Sequence, residues 1–148
     1  MSIINKSFLL LGDIVTMKIT GDETGGSYCV MQIEVSPNNG PPPHKHSRED
    51  EGFYIVEGKF SFTYGDTETQ ATNGMFIHLP RGEFHTYRNV SNTYGRLIVV
   101  ATPAGFEHFF EEAGIFVDNN SSFTPSQGIP TSESHILGIA AKYGLQLK

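Results

Sequence analysis

One cysteine, Cys29, in 148 residues excludes an intramolecular disulfide and any zinc site assembled from thiolates. With no partner marked for it, Cys29 is expected as a small buried strand residue rather than a nucleophile. Basic residues are also scarce. Ten Lys and Arg stand against sixteen Asp and Glu, a net charge of −6, and the ten are scattered. That argues against nucleic acid as a partner, because phosphate binding needs clustered cations, and against a basic membrane-surface patch. Long apolar runs are missing too. The most apolar stretch, "FLLLG" from Phe8 to Gly12, is far shorter than a signal-peptide core or a membrane span, so a cytoplasmic location is expected.

What the chain does contain is glycine, proline and aromatics: sixteen Gly, eight Pro, eleven Phe and six Tyr, a composition of strands and turns. The length fits one domain with a substantial core. "DIVTMKI" alternates, and "SYCVMQIEV" is apolar enough for a buried strand. "SPNNGPPP" breaks the pattern. "GFYIVEGKFSFTYGD" predicts two strands meeting at Glu57-Gly58, and "GMFIHLP", "FHTYRNVS" and "GRLIVVATP" continue the series. Such spacing predicts a β-sandwich or barrel. Helix is expected over Ala104–Gly114 and again near the end. There Thr131 or Ser132 is the cap, Ile136, Ile139, Ala140 and Tyr143 the apolar stripe, and Gly144 the stop. The organisation expected is a barrel with a short helix over residues 1–114, a loop over 115–130, and a C-terminal helix over 131–148 packing on the barrel.

Six histidines occur: His44, His46, His78, His85, His108 and His135. The pair in "PPPHKHSREDE" is informative in one backbone geometry only. On a helix, residues i and i+2 diverge; on an extended strand they share a face, and both imidazoles can reach one ion. Pro41, Pro42 and Pro43 enforce extension at that point. Two readings of the pair stand on this alone, a solvated loop or a chelate. His78 reads as a packed or hydrogen-bonded strand residue, and His108 and His135, on helices without ligand spacing, as structural. The aromatics Phe53, Phe60, Phe62, Tyr64, Phe76 and Phe84 alternate along strands and are expected mostly in the core.

Two longer patterns bear on the choice. Residues 44–58, "HKHSREDEGFYIVEG", run His-x-His, four residues, Glu51, six residues, Gly58. Residues 74–89, "GMFIHLPRGEFHTYRN", run Gly74, five residues, Pro80, one residue, Gly82, two residues, His85, three residues, Asn89. Together they resemble the two signature motifs of the cupin superfamily. The resemblance implies an all-β fold, a double-stranded β-helix or jelly-roll barrel, with short C-terminal helices added in this chain. By position it also implies a metal site of His44, His46, Glu51 and His85. Counting back from Gly58 selects Glu51 over Asp50, which would require seven intervening residues. Glu49 and Asp50 are then expected as solvated loop residues, with one of them orienting an imidazole as the alternative. One departure is Asn38, standing where the family usually has glycine; Asn also tolerates the left-handed turn.

"GPPPHKHSREDEGFYIVEG", "LPRGEFHTYRN", "VVATPAGFEHFFEE" and the closing "IAAKYGLQL" are similar to the single-domain, quercetin 2,3-dioxygenase-like group. Three imidazoles and a carboxylate suit one divalent transition metal, drawn from Fe, Mn, Co, Ni, Cu and Zn, rather than calcium or magnesium. The function this implies is a metal-dependent dioxygenase on a small enolisable or phenolic, flavonol-like substrate, with Glu51 also serving as base. The alternatives are a non-enzymatic small-ligand-binding cupin, or an isomerase or lyase on the same site. A small-molecule ligand and a homodimer are the expected partners.

Overall fold

Period-two alternation decides which way each strand faces. The computed structural model describes residues 5–118 and 132–148. In chain order the elements are β1 (Ser7–Leu10), β2 (Asp13–Ile19), the single-turn α1 (Gly21–Thr24), β3 (Cys29–Val35), β4 (His44–His46), β5 (Asp50–Glu57) and β6 (Lys59–Tyr64). They continue with β7 (Thr67–Thr72), β8 (Phe76–Leu79), β9 (His85–Asn89), β10 (Gly95–Thr102), α2 (Glu107–Ala113), β11 (Ile115–Val117), α3 (Glu133–Lys142) and β12 (Leu145–Leu147).

The strands form two antiparallel sheets, β11-β1-β2-β3-β10-β5-β8 and β12-β4-β9-β6-β7, the jelly-roll arrangement of a cupin barrel. Every second residue of β2, β3 and β10 is buried: Val15 and Met17, then Cys29, Met31, Ile33 and Val35, then Leu97, Val99 and Ala101. These meet Phe60, Phe62 and Tyr87 from the smaller sheet to make one core. Cys29, fully buried, is part of it, and burial pushes its thiol up to about 12.

Strands β5 and β6 do not pair with each other. The chain changes sheets at Glu57-Gly58, where Gly58 takes a φ of 117° that a side chain would oppose. Asn38 does adopt the left-handed conformation expected of it, with φ 59°. Gly40 is needed for a different reason: a Cβ there would collide with the Tyr87 carbonyl.

The C-terminal region departs from the expected division. Residues 115–117 open as strand β11, paired with β1, rather than as loop. The rest of the 115–130 loop, from 119, and Thr131 lie outside the described residues. Ser132 caps α3, its side chain accepting from the His135 amide. Ile136 and Ala140 are buried, with Ile139 and Tyr143 packed beside them. The helix ends at Lys142, just before the expected stop, and Gly144, φ 75°, turns the chain into β12, so the tail of the 131–148 segment is strand. Two alternating leucines, Leu145 and Leu147, then pair with β4 through Leu145↔His46 and Leu147↔His44. No helix among the described residues is long and apolar enough to cross a membrane.

Candidate metal centre

The same alternation carries polar residues inward. On β5 the buried face is Glu51, Phe53 and Ile55; on β9 it is His85, Tyr87 and Asn89. A carboxylate and an imidazole thus share a phase with core aromatics and are forced into the interior. Strand β4 brings the other two imidazoles, with His44 directly opposite His85 in register. All four expected ligands come together: His44, His46, Glu51 and His85 each offer an atom within 4.8 Å of the others, a group that could hold a metal ion.

The donor atoms are aimed consistently. Glu51 Oε2 lies 3.2 Å from His46 Nε2 and 3.0 Å from His85 Nε2. His44 Nδ1 is 2.8 Å from the Pro42 carbonyl, so that nitrogen carries the proton and donates, leaving Nε2 as the free donor of a lone pair. His46 Nε2, His85 Nε2 and Glu51 Oε2 are buried without a hydrogen-bond partner among the described residues. Three buried orphans converging on one point are costly unless something bridges them, and a cation bound by imidazole and carboxylate fits that donor set.

Electrostatics follow from this crowding. Burial and the neighbouring His85 lower His44 to about 4. Burial also acts to lower His46, but the Glu51 and Glu49 carboxylates beside it outweigh that and lift it to about 9. Glu51 is held well below the ordinary carboxylate range: burial acts to raise it, and the His46 and His85 imidazoles more than compensate.

Glu49 is not a solvated loop residue. It is 3% exposed, with Oε2 3.3 Å from His46 Nδ1, an ion-pair separation without hydrogen-bond alignment. Of the two expectations for the acidic run, orientation of an imidazole is the one Glu49 meets. Asp50 stays at the surface and grips Arg81 through two oxygens, at 3.1 Å each, which holds its carboxyl down to about 2. It also accepts from the Arg81 amide, while the Gly82 amide donates to the His46 carbonyl. The "PRG" turn is thereby fixed to β4 and β5, two of the three strands that carry ligands.

The remaining histidines stand apart. His78 is exposed on β8 rather than packed. Phe76 is 59% exposed, not core, and lies on the outer surface over Gly52, where a Cβ would strike its ring. His108 pairs with Glu111 one helical turn away, at 3.1 Å, and His135 lies on the outer part of α3.

A cavity of about 100 Å³ opens beside the cluster, several times the ~10–15 Å³ that one water needs. His44 and Glu51 line it together with Phe53, Tyr87, Val99 and Phe106. Helices α2 and α3 contribute Phe109, Phe110, Ile136 and Ala140, so they close one side of the barrel over the site. Phe106 packs edge-on against His46, ring centroids 4.5 Å apart.

Comparison with known proteins agrees with this geometry. The family model described as "Cupin domain" matches residues 31–101. Quercetin 2,3-dioxygenase of Bacillus subtilis (strain 168) is 30% identical over 107 residues, which is 72% of this chain but 32% of that protein. The chain therefore spans about a third of that relative's length. Among solved structures, KdgF from Halomonas sp. superposes with a TM-score of 0.63 at 14% identity, over 71% of this chain and 91% of that one. An RmlC-like cupin from Shewanella frigidimarina gives 0.59 at 20% identity, over 70% and 88%. At those identities the likeness is one of fold. Motifs, sheet topology and the family match concur: residues 31–101 form a cupin domain.

Proposed function

We propose that the chain holds one divalent transition metal through His44, His46, Glu51 and His85, and acts as a dioxygenase on a small enolisable or phenolic substrate. The observation that carries the metal reading is the convergence of His46 Nε2, His85 Nε2 and Glu51 Oε2, buried and without partners among the described residues. The likeness to a quercetin 2,3-dioxygenase supports the reaction class. A bound ion supplies Lewis acidity, favouring the anionic form of an enol or phenol at the site. Glu51, the carboxylate of the four-residue cluster, is the base this reading assigns to the substrate's hydroxyl proton. Phe53, Val99 and Phe106 exclude water from the anion so formed. Glu49 holds the His46 ring, and the Pro42 carbonyl holds that of His44.

Oxygen consumption with flavonols and enediols after loading with Fe(II), Mn(II), Co(II), Ni(II) or Cu(II) tests the reaction. Uptake with at least one pair is expected. Product without uptake makes the site an isomerase or lyase, and thermal stabilisation by ligand without turnover makes it a binding module. Metal content unchanged in His44→Ala and Glu51→Ala refutes every metal-based version.

We also propose a homodimer through the outer face of β5 and β8. Tyr54 and Phe76, paired in register, are 44% and 59% exposed, and Val56 and Met75 are exposed nearby. Light scattering after gel filtration checks this: a dimer is expected, with Phe76→Glu shifting it to monomer. A monomer at tens of micromolar wild type refutes it.

A further inference from the structure

The cavity beside the cluster is small for the length it spans. Its volume, about 100 Å³, covers the full run from His44 and Glu51 to Asp13, so the share next to the cluster is smaller still. An apolar cavity of about 150 Å³ takes one benzene ring, and drug-sized ligands fill roughly 300–1,000 Å³. The space beside the cluster therefore suits a single ring or a short open chain.

The wall that closes it over the cluster is built from three rings that brace one another. Phe106, Phe109 and Phe110 all line the cavity and are buried. Phe106 lies parallel to Phe109, centroids 5.7 Å apart, and Phe110 stands edge-on to both, at 4.9 and 5.3 Å. Phe106 also meets His46, and Phe109 meets Tyr143. None of the three can swing aside without displacing a neighbour, so the limit is held by packing rather than by one loose side chain.

The wall also offers few polar partners. Beyond His44 and Glu51, Asp13 and Tyr87 alone among the described residues bring side-chain oxygens to it. Asp13, at the far end, is committed to the Ser36 amide and to Asn39. Tyr87, one inward step from His85 on β9, supplies the wall's single hydroxyl. A sugar or other polyol buried there would leave hydroxyls unpaired, at a cost for each.

We infer that the site selects an enol of one ring or a short open chain, apolar beyond the oxygens that meet His44, His46, Glu51 and His85, and that Phe106, Phe109 and Phe110 set the size limit. Flavonols, with three rings, and polyols fall outside that class. This rests on the enol-binding reading of the cluster, and its test separates the two.

The probes are 3-hydroxy-4-pyranones with hydrogen, methyl, ethyl or phenyl at position 2, together with 3-hydroxyflavone, and the 3-methoxy ether of each. Binding to Zn(II)-loaded and metal-free protein is measured by calorimetry and by the enolate absorbance, without turnover. In loaded wild type, affinity rises about fourfold per carbon from hydrogen to ethyl, as burial of a CH₂ does. It then falls about tenfold at phenyl and further at 3-hydroxyflavone. Tightening that continues through phenyl and 3-hydroxyflavone overturns the inference. Phe110→Ala takes a ring out of the wall and closes the gap between ethyl and phenyl by about tenfold. Phe106→Leu, a milder change, moves it in the same direction. A gap unchanged in a variant that circular dichroism shows to be folded overturns the role of the three rings, and the wild-type series decides the size limit without either variant. Failure of the enol reading shows separately, as methoxy ethers that bind loaded protein as tightly as the free enols while the break at phenyl persists in both series. Binding of none of the probes overturns both.

Discussion

Glu49→Gln offers the sharpest check on how the cluster is built. The carboxylate is 3% exposed and lies 3.3 Å from Nδ1 of a fully buried His46, so it biases both the tautomer and the orientation of that ring. Removing such a partner typically weakens metal affinity by about 10–100-fold. Wild type at free metal a hundred times its Kd gains about 2.7 kcal/mol. A variant binding roughly thirtyfold more weakly gains only about 0.9 kcal/mol at the same free metal. The difference, about 1.8 kcal/mol, corresponds to roughly 4–7 °C in Tm for a domain of this size. Metal-free Glu49→Gln loses its ion pair with a His46 ring that Glu51 and Glu49 keep protonated, so it should itself melt below wild type, with the metal-linked loss added on top in the loaded protein. Scanning calorimetry of both forms, with chelator competition for affinity, measures all three quantities. An affinity within twofold of wild type refutes the reasoning. So does an equal drop in Tm with and without metal, which would reveal a packing defect.

Two further perturbations probe the frame around the site. Asp13 is raised from 3.8 to about 6 by burial, so folded protein binds the proton more tightly than unfolded chain. Stability from this group is therefore fully present below pH 4 and is lost as pH rises to about 6, by up to about 3 kcal/mol. Urea unfolding of wild type and Asp13→Asn across that window should show the gap between them opening in favour of the variant, and parallel curves would contradict the assignment. Gly40→Ala drives a methyl into the Tyr87 carbonyl. It should lower stability by about 1–3 kcal/mol and, because Tyr87 shares a strand with His85, weaken metal binding as well. Unchanged urea midpoints and affinity would show that the loop can move aside.

The barrel strands were legible because alternation and burial are the same fact seen twice. "DIVTMKI" became β2 residue for residue, and "CVMQIEV" within the second candidate became β3. The elements that escaped notice lack that signal. Strand β7, "TETQAT", has five exposed residues and only Ala71 buried; pairing with β6 defines it, and pairing partners are invisible in one sequence. Strand β12 is three residues long, too short to show an alternation of its own. Its place beside β4 depends on Gly144, where a side chain would meet Ser47 and Arg48.

The site divides along the same line. Spacing within a strand is a local quantity, and the inward phase of His44 and His46, of Glu51 with Phe53, and of His85 with Tyr87 can be counted from residue numbers alone. Whether those three segments face one another depends on the sheet order β12-β4-β9 in one layer and β10-β5-β8 in the other. The motif resemblance supplied that order; the periodicity did not. Glu49 shows the limit most clearly. It is chemically identical in sequence to any loop acid, and only the bend between β4 and β5 turns it inward against Nδ1. Asp13 was hidden for the opposite reason: it stands in phase with Val15 and Met17, where alternation alone predicts a hydrophobe. A charged residue in an inward phase is a local violation of the pattern that builds the fold, and such violations concentrate where a protein handles a ligand. Asp13 violates the pattern as a clamp, its Oδ1 tying Ser36 and Asn39 to the start of β2.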